Sequence, residues 1–241
     1  MSSCHLSLAK AELYPQAFRV PVPEPLSERR ITPRRLGCII VDAAAESSAA
    51  LLGREPAPAE EGAAHAVERL LVPAQFGLVP HWAKSASDGQ LRALKLVNVR
   101  IDKLTTAAAS RDAWLAGQRC IVPLQAFEVD DLRPGKPVPT RITRVDGQPM
   151  GAAGLWARWV DGDGQVIVSY ALITINANAH ALMNRYGHPG SDKSMPAILN
   201  EGAYDAWLQA KVAKAREFLR PYPAQKLTAN PVEKGRKPPL F

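Results

Sequence analysis

Cysteine is scarce in this 241-residue chain, and one of its three cysteines, Cys4, lies close to the start in MSSCHLSLAKAEL. A thiol beside a free α-amine is a bifunctional nucleophile able to capture an aldehyde. Behind Ser2 and Ser3, Cys4 has that chemistry only when it is exposed as a terminus; otherwise it is an ordinary small residue. Cys38 in LGCIIV and Cys120 in RCIVPL sit inside apolar runs and read as core residues. The sequence holds no CxxC and no Cys/His ligand spacing, which argues against a disulfide framework and a structural zinc site. Nothing in it points to a metal or an organic cofactor. Cys120 and His188 would be the pair for a cysteine hydrolase, but an apolar strand disfavours a thiolate.

Four segments concentrate the other residues able to do chemistry. FGLVPHWAK, from Phe76 to Lys84, frames Trp82 with Gly and Pro. It reads either as a core tryptophan on a turn or as a stacking surface beside Lys84, of the kind nucleic-acid sites use. In LVNVRID, alternation puts Asn98 and Arg100 on one strand face and Val97 and Val99 on the other, as a site wall or a solvated face. In RCIVPLQAFEVDD an apolar strand breaks at Pro123 and delivers Glu128, beside Phe127, to its end. A carboxyl against an aromatic can have a raised pKa and act as a general acid, although a surface turn would make Asp130 and Asp131 its equivalents. In NRYGHPGSDKSMPAIL a helix ends near Gly187 and leaves His188 in a Gly/Pro-framed loop, a better candidate than His65 or His180.

The elements that must position these groups are short and rich in strand formers. Strands are expected at LGCIIV, GQRCIVPL, PTRITRV, AAGLWARW and VIVSYALITI. Asp131–Pro139 and Val160–Gln165 read as hairpin connectors. Helices are expected at His5–Phe18, around Ala63–Leu70, at Ser110–Gly117, at Asn176–Tyr186 and over Glu201–Leu219. The last carries an apolar stripe at Tyr204, Trp207, Leu208 and Val212. No βαβ alternation or glycine-rich loop is present. The fold class implied is α+β: mainly antiparallel strands forming a curled, barrel-like sheet with flanking helices, in one domain over 1–241.

A net charge of +7 and a pI near 9.5 favour a polyanionic partner where the charge clusters. Basic residues do recur beside the segments above, in RITPRR and at Lys95, Arg100, Lys103, Arg111 and Arg119. With 46% hydrophobic and 22% charged residues the composition is that of a soluble globular protein. No run approaches the ~18 apolar residues of a membrane span. The opening lacks the basic start and apolar core of a secretory signal, so the cytoplasm is expected and a membrane is not.

In order along the chain, these segments resemble the SOS response-associated peptidase family of abasic-site processing proteins. The family pattern runs from Met-Cys through W-G-L-x-P-x-W, N-x-R, R-C-x-x-P with a following glutamate, G-L-W-x-W and T-x-x-A-N. A histidine loop before M-P-x-I-L and then Y-x-x-W-L complete it. Its counterparts here are Cys4, FGLVPHW, NVR, RCIVP, GLWARW, TINAN, MPAIL and YDAWL, and the loop before MPAIL resembles a phage-associated branch. The resemblance implies a monomer that binds single-stranded DNA at an abasic site. The α-amine of a terminal Cys4 would form an imine with the ring-opened sugar, and its thiolate would close a thiazolidine ring. Asn98 would hold the cysteine or the sugar, Glu128 would shuttle protons and His188 would assist sugar opening. Arg100 would hold phosphate, with Phe76, Trp82, Lys84, Arg111 and Thr174 on the DNA.

The sequence departs from the pattern at the chemistry itself. Met1–Ser3 precede the cysteine, so a peptidase step must remove them before the amine is free. Glu128 stands one residue nearer Pro123 than the family spacing, and strict alignment puts Val129 there. It also puts Gly187 in the histidine position, with His188 adjacent. Two further readings stand beside the active cross-linker: a DNA-binding relative that has lost covalent capture, and a phage-derived interaction protein on the same scaffold.

Overall fold

In the computed structural model, residues 4–24, 28–51, 53 and 66–232 are described. Their strands are β1 (Cys4–Leu6), β2 (Arg30–Ile31), β3 (Leu36–Asp42), β4 (Arg69–Phe76), β5 (Asn98–Arg100) and β6 (Arg119–Leu124). The second half adds β7 (Ala126–Asp131), β8 (Val138–Arg144), β9 (Met150–Val160), β10 (Val166–Asn176), β11 (Ser194–Pro196) and β12 (Leu227–Pro231). The helices are α1 (Ala86–Ala93), α2 (Ala108–Leu115), α3 (Tyr204–Gln209) and α4 (Val212–Ala215).

The fold is α+β and mostly strand. β4, β3, β6, β9 and β10 pair in turn, and a short parallel pairing of β10 with β4 closes the ring into a barrel. Closure leaves these strands few free edges. The end of β10 extends past the ring and is flanked by β5, parallel, and β11, antiparallel. A second, wholly antiparallel sheet runs in the order β12-β8-β7-β1-β2 and shares one continuous core with the barrel. That core contains Trp114, Trp156, Trp207, Tyr14, Tyr170, Tyr204, Phe18, Phe76 and Phe127, all essentially buried. At the end of β4 the chain turns through Gly77 at φ +105°, where a Cβ would lie 2.2 Å from the Ala93 carbonyl oxygen; only glycine fits. Among the described residues no helix is long and apolar enough to cross a membrane.

The five expected strands and both hairpin connectors form. The helices fare less well, each for a local reason. His5 belongs to β1, and the expected first helix shrinks to a π-helical turn at Tyr14–Phe18. The expected helix near Ala63 lies partly outside the described residues, and its end, Arg69–Leu70, opens β4. In place of a helix over Asn176–Tyr186 there is one 3-10 turn at Met183–Arg185. The buried His180 ring takes over the backbone's role there: Nδ1 accepts the Leu182 and Met183 N–H groups, and Nε2 meets the Tyr222 carbonyl at 2.7 Å. The last helix breaks between α3 and α4, where the buried Arg119 guanidinium donates to the Trp207 and Ala210 carbonyls. Pro123 does not break its strand; it sits inside β6 opposite Gly151.

Candidate functional site

Strand register builds the first part of the site. Cys4 on β1 is opposite Glu128 on β7, and Glu128 is opposite Arg141 on β8. Directly opposed side chains lie ~5 Å apart at Cβ, so the three form a row on one sheet face. Arg30 reaches in from β2 and donates to Glu128 Oε2 through Nε at 3.1 Å and Nη2 at 2.9 Å. Arg141 Nη2 donates to the other oxygen, Oε1, at 3.3 Å. The carboxyl and the thiol are almost fully buried, with 7% and 4% of their surface exposed.

These contacts set the charges. Burial pushes the Cys4 thiol up to about 12, and the Glu128 carboxylate, to which the thiol is hydrogen-bonded, adds to the rise against a smaller opposing effect of Arg30. At neutral pH the group is a thiol. Burial also acts to raise the Glu128 carboxyl, but the Arg30 hydrogen bond and charge, then Arg141, outweigh it and hold the carboxyl below its usual range. The expected raised-pKa acid is therefore an ionised carboxylate, because two guanidinium groups rather than Phe127 face it. Phe127 points to the opposite side, into the core.

The second part is a cavity of about 470 Å³ lined by Arg100, Asp130, Tyr186, His188, Asp192 and Lys193, among others. His188 is exposed, and its carbonyl accepts from Lys193 Nζ and from Ser191 Oγ. Arg100 is bonded to Asp102 at 2.9 Å and lies 3.7 Å from Asp192, so its charge is already met by carboxylates. Glu128 stands two residues along β7 from the lining residue Asp130, and Asn98 two along β5 from Arg100. Two residues of strand span ~7 Å. Thr174 is opposite Arg100 in register; it is buried and lines an adjoining cavity of about 210 Å³ with Arg100 and Lys193. Its hydroxyl has no hydrogen-bond partner among the described residues.

The remaining candidates divide. Trp82 is 39% exposed, with Arg92 over its ring at 4.4 Å, and Lys84 and Arg111 are exposed. Phe76, expected to stack against bases, is fully buried and instead stacks on the His5 ring at 4.8 Å. Its place at the inner end of β4, rather than in the following turn, takes it off the surface. Sequence reasoning noted Arg30 only within the basic run RITPRR, and missed Arg141 and His5. Arg141 was within reach: a hairpin pairing Asp131 with Val138 sets Glu128 opposite Arg141 three steps back. Arg30 and His5 depend on β1 and β2, strands of three and two residues with no sequence signature of their own.

Residues 21–235 match the family model described as SOS response associated peptidase (SRAP). The chain belongs to this family. The matched span begins after Cys4, so membership rests on the scaffold and not on the leading cysteine. The abasic site processing protein YoqW of Bacillus subtilis is 29% identical over 159 residues, covering 64% of this chain and 66% of that one. The abasic site processing protein HMCES of Gallus gallus is 25% identical over 186 residues, covering 68% of this chain but 53% of its own length. A crystal structure of a protein from Bordetella bronchiseptica superposes with a TM-score of 0.78 at 32% identity, covering 96% of this chain and 99% of that one.

Proposed function

We propose that this SRAP protein captures abasic sites in single-stranded DNA covalently through Cys4. The observation that carries the reading is the row Cys4–Glu128–Arg141 with Arg30 on the same carboxylate, two residues along β7 from the Arg100/His188 cavity. The relatives named for abasic-site processing support the substrate class.

The chemistry has three steps. Hydrolysis of the Ser3–Cys4 amide consumes one water and frees the Cys4 amine. The amine adds to the C1′ aldehyde of the ring-opened abasic sugar and expels water, leaving an imine. The thiol then gives its proton to the Glu128 carboxylate as sulfur bonds to the imine carbon, and the imine nitrogen takes up a proton to complete a thiazolidine. Amine and sulfur sit on adjacent carbons, so ring closure is intramolecular and gains a large effective molarity. A thiol with its pKa raised to about 12 needs a base in contact during the attack, and the ionised Glu128 fills that need. Asn98 holds the terminal residue or the sugar, and His188 assists sugar opening. Arg100, Lys84, Arg111 and Thr174 hold the strand, and the exposed Trp82 stacks on a base.

The test is incubation of the full chain with single-stranded DNA carrying one abasic site, followed by denaturing electrophoresis and intact mass. The expected result is a shifted band that Cys4→Ala abolishes, on protein whose mass has lost Met1, Ser2 and Ser3. Reversible, salt-sensitive binding with no denaturation-resistant product would overturn covalent capture and leave a DNA-binding SRAP scaffold.

A further inference from the structure

We propose that His5 is a positioning residue whose buried hydrogen bond to Tyr170 fixes the register of β1 and thereby aims Cys4 at Glu128. This rests on the reading of Cys4 as the capturing residue. The two faces of the second sheet carry opposite chemistry. The outer face holds Cys4, Glu128 and Arg141; the inner face holds the row Ile31, His5, Phe127 and Ile142, each no more than 2% exposed. His5 is the one polar member of that inner row. Its Nε2 meets the Tyr170 hydroxyl at 2.9 Å, its ring stacks on Phe76, and its Nδ1 has no partner among the described residues. A buried polar group with half its capacity unmet is a poor choice for stability alone, since an apolar ring of the same shape would avoid the desolvation cost.

What the imidazole supplies is directionality. β1 is three residues long and meets β7 in three register pairs and β2 in two. A slip of one residue would turn every side chain to the other face, carrying Cys4 into the core and His5 out. In β1 the residues either side of His5, Cys4 and Leu6, are apolar and buried themselves, so apolar contacts alone do little to oppose such a slip, whereas a hydrogen bond to a fixed hydroxyl does. The partner is fixed: Tyr170 lies in β10 within the barrel, and its hydroxyl passes Gly37 on β3, where a Cβ would be 2.5 Å away. Glycine at that position opens the slot through which the barrel reaches β1. The first strand is thus tied to the rigid part of the fold one residue from the nucleophile.

Two variants test the pin without emptying the core: His5→Phe keeps ring and burial, and Tyr170→Phe removes only the hydroxyl. Register is read without DNA by adding Glu128→Cys and following disulfide formation between positions 4 and 128 under mild oxidation, which requires the opposed, ~5 Å geometry. Both variants should slow trapping roughly 3- to 10-fold. In the Glu128 background they should slow capture of abasic DNA at saturating DNA by a similar factor. The dissociation constant for intact single-stranded DNA and the unfolding midpoint should not fall. A purely structural role for His5 predicts the reverse, a lowered midpoint with trapping unchanged. Trapping at the parent rate in both variants overturns the pin. If the parent chain never captures DNA but trapping still slows, the pin stands and the capture reading fails.

Discussion

The barrel and the sheet beside it make their stability and their chemistry in different ways. β3 and β6 are buried along almost their whole length, and β9 and β10 over most of theirs, with α2 against β9 and α3 against β3 and β6. Their order follows from continuous apolar sequence, and exchanging one apolar residue for another alters packing but not which group faces where. In the second sheet the face turned away from the core row carries polar groups, with Cys4 and Glu128 buried and Arg30 and Arg141 more exposed. There a step of one residue separates a core row from a row holding a thiol, a carboxylate and a guanidinium. The lesson is that the barrel supplies free energy and the sheet supplies register, and a substitution should damage one without the other.

The strongest way to break that division is at Trp207. This residue is fully buried, donates to the Cys120 carbonyl at 2.9 Å and packs between Trp114 and Phe218. Trp207→Ala should cost about 3–5 kcal/mol of folding free energy, read as a lower urea midpoint. The protein that remains folded should capture abasic DNA at the parent rate. A large drop in that rate per folded molecule would show that the sheet's geometry depends on barrel packing far from it.

Glu128→Gln is the converse. It keeps shape but gives the thiol no base, so capture should slow by about 10²–10³-fold, with a much smaller change in stability. The pH profile sharpens the point. Arg30 and Arg141 hold the carboxyl below its usual range, so the ring-closing step, followed on preformed imine, should stay level as pH falls to the ordinary carboxylate region, about 4.3. Arg30→Ala removes the larger opposing influence and leaves burial to raise the carboxyl. Protonation then sets in at higher pH, and the acid-side loss of rate should move upward. An unmoved acid limb would separate Glu128 from the proton transfer.

The same contrast governs how much was legible in the sequence. Every long apolar strand of the barrel except β4 was readable from β-branched runs and flanking turns. β4 is not among the expected strands: the helix expected around Ala63–Leu70 overlaps only its first two residues, and RLLVPAQF does not alternate. Alternation alone puts Asn98 and Arg100 on one face, and the sequence singles out Glu128 as a group to examine. Its environment was misjudged, because the neighbour in sequence, Phe127, lies on the other face while the true neighbours come from β2 and β8. Phe76 was expected at the surface and His5 within a helix, and the two stack on each other. Cross-strand partners decide these environments, and a strand as short as β1 leaves no periodicity from which to read them.

His5 also leaves a thermodynamic trace. Burial pulls its imidazole down to about 4, with the charge of Glu128 on the far face acting weakly the other way. The unfolded chain takes up the proton near 6.5, while the folded one refuses it until about 4. Stability attributable to the group is therefore present above about 6.5 and drains away as pH falls toward 4, by about 3 kcal/mol in all. His5→Phe should flatten the unfolding midpoint over that interval. An unchanged slope would mean that the acid sensitivity does not arise at His5.

The smallest effect is expected at Arg100, and it tests whether the cavity is truly a phosphate site. Its guanidinium is bonded to Asp102 and lies near Asp192, so a phosphate gains the cation only by displacing carboxylates. Exposed pairs of this kind hold by ~0–1 kcal/mol, which makes the exchange easy but the net gain small. Arg100→Gln should lower affinity for intact single-stranded DNA only several-fold and reduce the salt slope of log K by about 0.7, the loss of one phosphate contact. Asp192→Asn should act oppositely, tightening binding by unmasking the same charge. If Arg100→Gln leaves the slope untouched while Asp192→Asn still tightens binding, the phosphate rests on Lys193 instead, which lines the same cavity. The strand would then run along the β11 side of β10 and not the β5 side.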